Sequence, residues 1–143
     1  MNNGVILNGV KDLIHGGFVT YTVLSLTNDS WQVFTADVTI DGEPFHAQIE
    51  VRWLPAAGRW FLSLWDHASG DLLVNQVPLA CSFGKLNDLL YPFRSLRGGR
   101  GLGSLFLLRN VDAMTEQDPV ADTLDQFNLL FGDLYIENGE TTE

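Results

Sequence analysis

Three histidines, one cysteine and eighteen carboxylates are what this 143-residue chain offers for chemistry. His15, His46 and His67 stand far apart, and none has a second His, Cys or carboxylate at a recognised metal-ligand spacing. His46 alternates with Gln48 and Glu50 on the polar side of a strand-like stretch, so it reads as a solvent-facing histidine. Cys81 with His67 is the one thiol–imidazole combination available. It lies in an apolar run, Pro78-Leu79-Ala80-Cys81, where a thiol behaves as a small hydrophobe. Glu50, Asp66 and Asp71 could share a cleft as a glycosidase pair does, although Asp66 to Asp71 spans a turn in which acids are expected anyway. Gly98-Gly99-Arg100-Gly101-Leu102-Gly103 has the look of a phosphate cradle. It lacks the Lys-Ser or Lys-Thr that should follow, and a strand stands where a helix N-terminus belongs. No Gly-x-Ser-x-Gly elbow exists. These residues name no catalytic set, no metal site and no cofactor, and the expectation is a non-enzymatic protein.

The elements that must position these groups are mostly strands. Residues 1–17 hold four glycines and three asparagines and read as an arm. The stretch 18–136 reads as a single β domain, and 137–143 as an acidic tail. Phe18 to Leu26 is β-branched and aromatic, a first strand. Phe34, Ala36, Val38 and Ile40 then alternate with polar residues up to Asp41-Gly42, the dipeptide of a type I′ hairpin. Alternation resumes with Phe45, Ala47, Ile49, Val51 and Trp53 on one face. After Pro55-Ala56-Ala57-Gly58, Trp60, Leu62 and Leu64 share a face, and Asp66 to Gly70 leads to Leu72-Leu73-Val74. Parity assigns Trp53 and Trp60 to the core and leaves Trp31 and Trp65 as candidates for exposure, where either could stack on a sugar or a protein. Lys85 to Leu90 could form one short helix before Pro92. Ser104 to Leu108 is a compact strand, and Phe127 to Ile136 a last one with a bend at Gly132. The fold class is all-β with at most one short helix, an antiparallel meander closing into a small barrel or a sandwich. The apolar residues on both faces of Trp60 to Trp65 favour the barrel.

Charge divides the chain. Eight Lys and Arg against eighteen Asp and Glu leave a net −10, which argues against duplex nucleic acid as a partner. Up to Arg109 the balance is 8 − 9 = −1, and the nine acids beyond it meet no Lys or Arg. The basic stretch carries Arg94, Arg97 and Arg100, and the acidic loop carries Glu116, Asp118 and Asp122. These six are the candidate partner-contact residues, since complementary charged patches orient neighbours. No run is apolar and long enough to span a bilayer, no targeting signal stands out, and a lone cysteine suits a cytoplasmic setting.

From about Phe18 to Tyr135 the chain resembles the baseplate plug family of contractile-tailed bacteriophages. The resemblance lies in the order of several motifs. They are the alternating strand from Phe34 to Asp41-Gly42, Ile49-Glu50-Val51-Arg52-Trp53, and Gly58-Arg59-Trp60-Phe61-Leu62-Ser63-Leu64 with its Asp66 to Gly70 turn. Leu79, Asn87-Asp88-Leu89-Leu90, Asp118-Pro119 with Asp122-Thr123-Leu124, and the closing Leu129 to Tyr135 follow. The arm at 1–17 and the extended loop from Arg94 to Gly103 depart from the family pattern. The resemblance implies a virion protein of the tail baseplate, assembled in the host cytoplasm and oligomeric within the particle. It would sit as a plug near the tail axis against hub, spike or tube proteins, with no catalytic residues to transfer. A carbohydrate-binding β module using an exposed tryptophan is the alternative.

Overall fold

The computed structural model describes residues 20–93, 101–133, 136–137 and 140–141. The arm at 1–17, the basic residues Arg94, Arg97 and Arg100, and most of the acidic tail lie outside these described residues. Nine strands follow in chain order: β1 (Tyr21–Ser25), β2 (Trp31–Ile40), β3 (Glu43–Leu54), β4 (Arg59–Asp66), β5 (Leu72–Pro78), β6 (Ser104–Arg109), β7 (Phe127–Gly132), β8 (Ile136–Glu137) and β9 (Glu140–Thr141). β2 to β5 form an antiparallel four-stranded meander. A second, three-stranded antiparallel sheet has the order β1-β7-β6, and β8 pairs with β9.

Among the described residues no ladder joins the four-stranded sheet to the three-stranded one. The architecture is therefore an all-β sandwich, and the barrel closure favoured by the two-sided apolar pattern does not occur. The second apolar face of β4 has a different use, developed below.

Local chemistry explains the meander. Asp41 and Gly42 both adopt positive φ, 52° and 77°, as a type I′ turn requires. That tight turn pairs Ile40 with Glu43 and fixes the register of the whole hairpin out to Trp31 opposite Arg52. Period-two alternation then sends Ala36, Val38, Ile40, Phe45, Ala47, Ile49 and Val51 inward, all buried. Trp60, Leu62 and Leu64 of β4 complete that layer, and Leu105, Leu107, Phe127, Leu129 and Phe131 face them from the other sheet. Phe45 and Phe131 meet edge-on across the two sheets with centroids 6.2 Å apart. Trp53 packs edge-on against the buried Trp60 at 5.4 Å, as parity requires.

Two expectations change in the second half of the chain. Lys85 to Leu90 is not helical; a single 3-10 turn, Tyr91–Phe93, follows it and contains Pro92. The segment instead runs along the free side of β6. Cys81 bridges Leu107, the Ser82 N–H donates to the Leu107 carbonyl at 2.9 Å, and the Leu89 N–H donates to the Leu105 carbonyl at 2.9 Å. Backbone pairing with a buried strand outweighs the weak helical spacing of three leucines, and Leu86, one of the three, stays exposed. The closing strand also ends early. β7 stops at Gly132, where an added Cβ would lie 2.2 Å from the Thr20 carbonyl oxygen. Only glycine permits that approach of β7 to the backbone leading into β1.

Candidate functional site

Residues of the motifs picked out in the sequence hold the sandwich together through side-chain hydrogen bonds. Asp88 Oδ1 accepts the N–H groups of Leu90 at 3.0 Å and Leu105 at 3.1 Å, tying the β5–β6 connection to the start of β6. Asp118 Oδ1 accepts the Cys81 N–H at 2.8 Å, which ties the β6–β7 loop to that same connection. Trp60 Nε1 donates to the Val120 carbonyl at 2.7 Å, so the loop is also fixed to the four-stranded sheet. Arg59 donates to the Leu79 carbonyl at 3.3 Å. Asn28 closes the end of the sandwich: its Nδ2 donates to the Asp122 carbonyl, and its Oδ1 accepts the Asp125 N–H. Carboxylates that looked chemically versatile thus serve as acceptors for backbone N–H groups that the strand ladders leave unpaired.

The structure keeps Asp66 beside Asp71, whose carbonyl accepts the Asp66 N–H at 2.9 Å across the β4–β5 turn, but it separates Glu50 from Asp66 and Cys81 from His67. The side chain of Glu50 points to the outer face of the four-stranded sheet. Asp66 shares the inward parity of Leu62 and Leu64 and caps its own turn, accepting the Ala68 N–H at 3.0 Å. Their side chains leave the sheet on opposite faces, so they cannot flank one glycosidic bond. Cys81 sits beside the end of β6 and His67 in the β4–β5 turn, at opposite ends of the sandwich. Burial, and next the neighbouring Asp118 carboxylate, push the Cys81 thiol up to about 11, so it stays protonated at neutral pH. Among the described residues no group of three His, Cys, Asp or Glu could hold a metal ion. His46 is exposed as expected, and its Nδ1 lies 2.8 Å from Asp37 Oδ1 on the neighbouring strand, a pair that the hairpin register creates.

A built concavity does exist on the outer face of the four-stranded sheet. It is a groove of about 200 Å³ lined by Glu50, Arg52 and Leu54 of β3, Phe61, Ser63 and Trp65 of β4, and Asn75 and Gln76 of β5. The register aligns Trp31, Arg52 and Phe61 in one cross-strand row, Glu50 and Ser63 in the next, and Gln48 and Trp65 in a third. Trp31 is 65 % exposed, and its indole N–H donates to Glu50 Oε2. The floor is anchored by Ser63, which is buried. Its hydroxyl accepts the Gln76 N–H at 3.0 Å and reaches Asn75 Oδ1 at 3.5 Å. β5 is irregular here, and Gln76 takes φ +56°, a left-handed conformation unfavourable for a residue with a Cβ. That strain turns the β5 wall of the groove and presents two amide side chains to it. The groove therefore combines aromatic surface, one guanidinium, one carboxylate and two amides. Such a set can stack, hydrogen-bond and pair with a charge.

Of the partner-contact candidates, Glu116 and Asp122 are exposed, and among the described residues neither carboxylate has an ion-pair or hydrogen-bond partner. Asp118 is exposed too, with one oxygen committed to Cys81. The acidic loop leaves the last residue of β6, whereas the described residues flanking the basic stretch, Phe93 and Gly101, lie toward its first. Sequence parity had marked Trp31 and Trp65 but not the groove between them. Its signal was present in the Asp41-Gly42 turn, whose register places Trp31 opposite Arg52 and diagonal to Glu50. No family model and no curated protein matches the chain.

Proposed function

We propose that this protein is a non-enzymatic structural component of a bacteriophage tail baseplate, a plug-like domain near the tail axis that contacts hub, spike or tube proteins. The supporting observation is where the family-like motifs fall. Trp60, Asp88 and Asp118 are engaged in fastening the connecting segments to the strands and to each other, which suits a scaffold role for the motifs that resemble the plug family. What remains for partners is surface: the exposed acids Glu116 and Asp122 and the aromatic groove on the outer face of the four-stranded sheet. Mass spectrometry of purified particles tests the proposal, with the chain expected in intact virions. Its absence from them would overturn the reading. The acidic cluster is tested as a block. The combined E116Q, D118N and D122N variant is expected to reduce incorporation into particles, and normal incorporation would show that those acids face solvent only.

The exposed Trp31 beside the groove favours a second reading, a carbohydrate-binding module. A glycan that stacks there must alter tryptophan fluorescence on titration, and an unchanged spectrum across a broad glycan panel removes it.

A further inference from the structure

We propose that the groove on the outer face of the four-stranded sheet receives the Asn110–Glu116 loop of a second copy of this chain, joining copies head to tail. This deepens the assembly reading by naming one partner surface, and it is tested on the isolated chain, apart from any particle.

The donor side is a loop that offers apolar side chains to water from a fixed frame. Val111 is fully exposed and Met114 is 86 % exposed. The loop beneath them is fastened. The Ala113 N–H donates to the Asn110 carbonyl at 3.0 Å, and the N–H groups of Met114 and Thr115 share Gln126 Oε1 at 2.7 and 2.9 Å. A pre-shaped loop gives up little conformational freedom when it docks. Two large apolar side chains held out in this way are characteristic of a contact surface. Asp112 lies between them and Glu116 follows, and neither has an ion-pair partner among the described residues.

The receiving side is mixed: the Glu50 carboxylate accepts the Trp31 indole N–H, while Arg52 is left to pair with an acid. Arg52 is exposed in the groove, and among the described residues its guanidinium has no carboxylate or carbonyl partner. Trp31 and Phe61 flank it on the neighbouring strands, and Trp65 lines the groove farther along β4, residue types that carry much of the binding energy in protein contacts. An apolar side chain beside acids therefore meets an aromatic groove in which Glu50 is engaged by Trp31 and Arg52, among the described residues, has no acidic partner. A chain cannot satisfy its own groove, because the groove faces away from the three-stranded sheet whose end carries the loop. Loop and groove are different patches, so the contact is heterologous. It either closes into a ring or propagates as a filament.

The experiment is sedimentation velocity on the full-length chain from about 1 to 100 µM. Wild type is expected to associate with rising concentration. R52E and M114E both alter exposed side chains and are expected to keep the native circular dichroism spectrum while weakening association at least about tenfold, equivalent to about 1.4 kcal/mol. The mixture is the decisive arm. R52E retains an intact loop and M114E an intact groove, so together they should form dimers and nothing larger. A wild type that stays monomeric at 100 µM overturns the proposal. So does a mixture that remains monomeric, or variants that associate as well as wild type. Glycan binding by a monomeric wild type, lost in R52E, would assign the groove to sugar instead and equally overturn it.

Discussion

Replacing Asp88 by alanine should destabilise the fold more than its half-buried position suggests. One carboxylate oxygen accepts two backbone N–H groups, those of Leu90 and Leu105, and both residues are fully buried. Alanine offers no acceptor, so two donors are left in an apolar setting. An orphaned buried donor costs about 1–3 kcal/mol, which places D88A at roughly 3 kcal/mol. With an m-value of about 1.5–2 kcal/mol/M in urea for a chain of this length, the midpoint should fall by about 1.5–2 M. Tryptophan fluorescence will follow the transition, because the buried Trp60 reports on the core. The control is D88N, which keeps an oxygen at the same position and should lose only about 1 kcal/mol. A D88A midpoint within about 0.3 M of wild type would refute the accounting, because the two donors would then have other partners. Equal losses for D88N and D88A would show that charge, rather than the acceptor, matters.

Three further outcomes follow from the same structure. Gly132→Ala should abolish soluble folding or lower stability by more than about 3 kcal/mol, since the new methyl meets backbone atoms of Thr20 and Tyr21 that cannot rotate away; thermal unfolding checks this. Trp60→Phe removes the indole donor to Val120 and should cost about 1–2 kcal/mol, with limited proteolysis beginning in the 116–123 loop; an unchanged digestion pattern would count against that tether. Cys81 should react with a thiol reagent at pH 8 about 100-fold more slowly in the native protein than in urea, because burial keeps the thiolate fraction low. Its folded-state pKa, about 11, lies above the ordinary value of 9.0. The associated stability is present below about pH 9 and lost as pH rises toward 11, and C81A should flatten that alkaline limb.

The meander was legible because its information is local. Alternation named the inward faces, and Asp41-Gly42 named both the turn and, through its two-residue length, the register. Trp53 and Trp60 follow from that parity alone. The groove needed one more step, counting outward from the turn to find Trp31 opposite Arg52, but its β5 wall could not be read. The left-handed Gln76 and the irregular pairing around Ser63 leave no mark in hydrophobic periodicity. The second half was less readable for a different reason. Lys85 to Leu90 has helical spacing, yet its conformation is decided by β6, a strand about 17 residues away, and by Asp88 reaching Leu105. Asp118 likewise reads as a loop acid, and only the fold brings it to the Cys81 N–H, 37 positions distant. The two-sided apolar character of β4 pointed to closure, whereas the outward aromatics Phe61 and Trp65 line a surface groove.

The position of β7 between β1 and β6 has a consequence for how the chain is made. The four-stranded meander involves only Trp31 to Pro78 and can pair strand by strand as it leaves the ribosome. The other sheet cannot, because its middle strand comes late: Tyr21 waits for Gly132. Through most of synthesis β1 has no partner, and the inward faces of β2, β3 and β4 have nothing to cover them. Contacts of such sequence separation slow folding, and exposed apolar sheet invites wrong pairing meanwhile. A nascent chain halted before Phe127 should therefore hold a formed but uncapped half-sandwich, bound by chaperones and sensitive to protease at β1. Release of the last strand then converts it in one cooperative step.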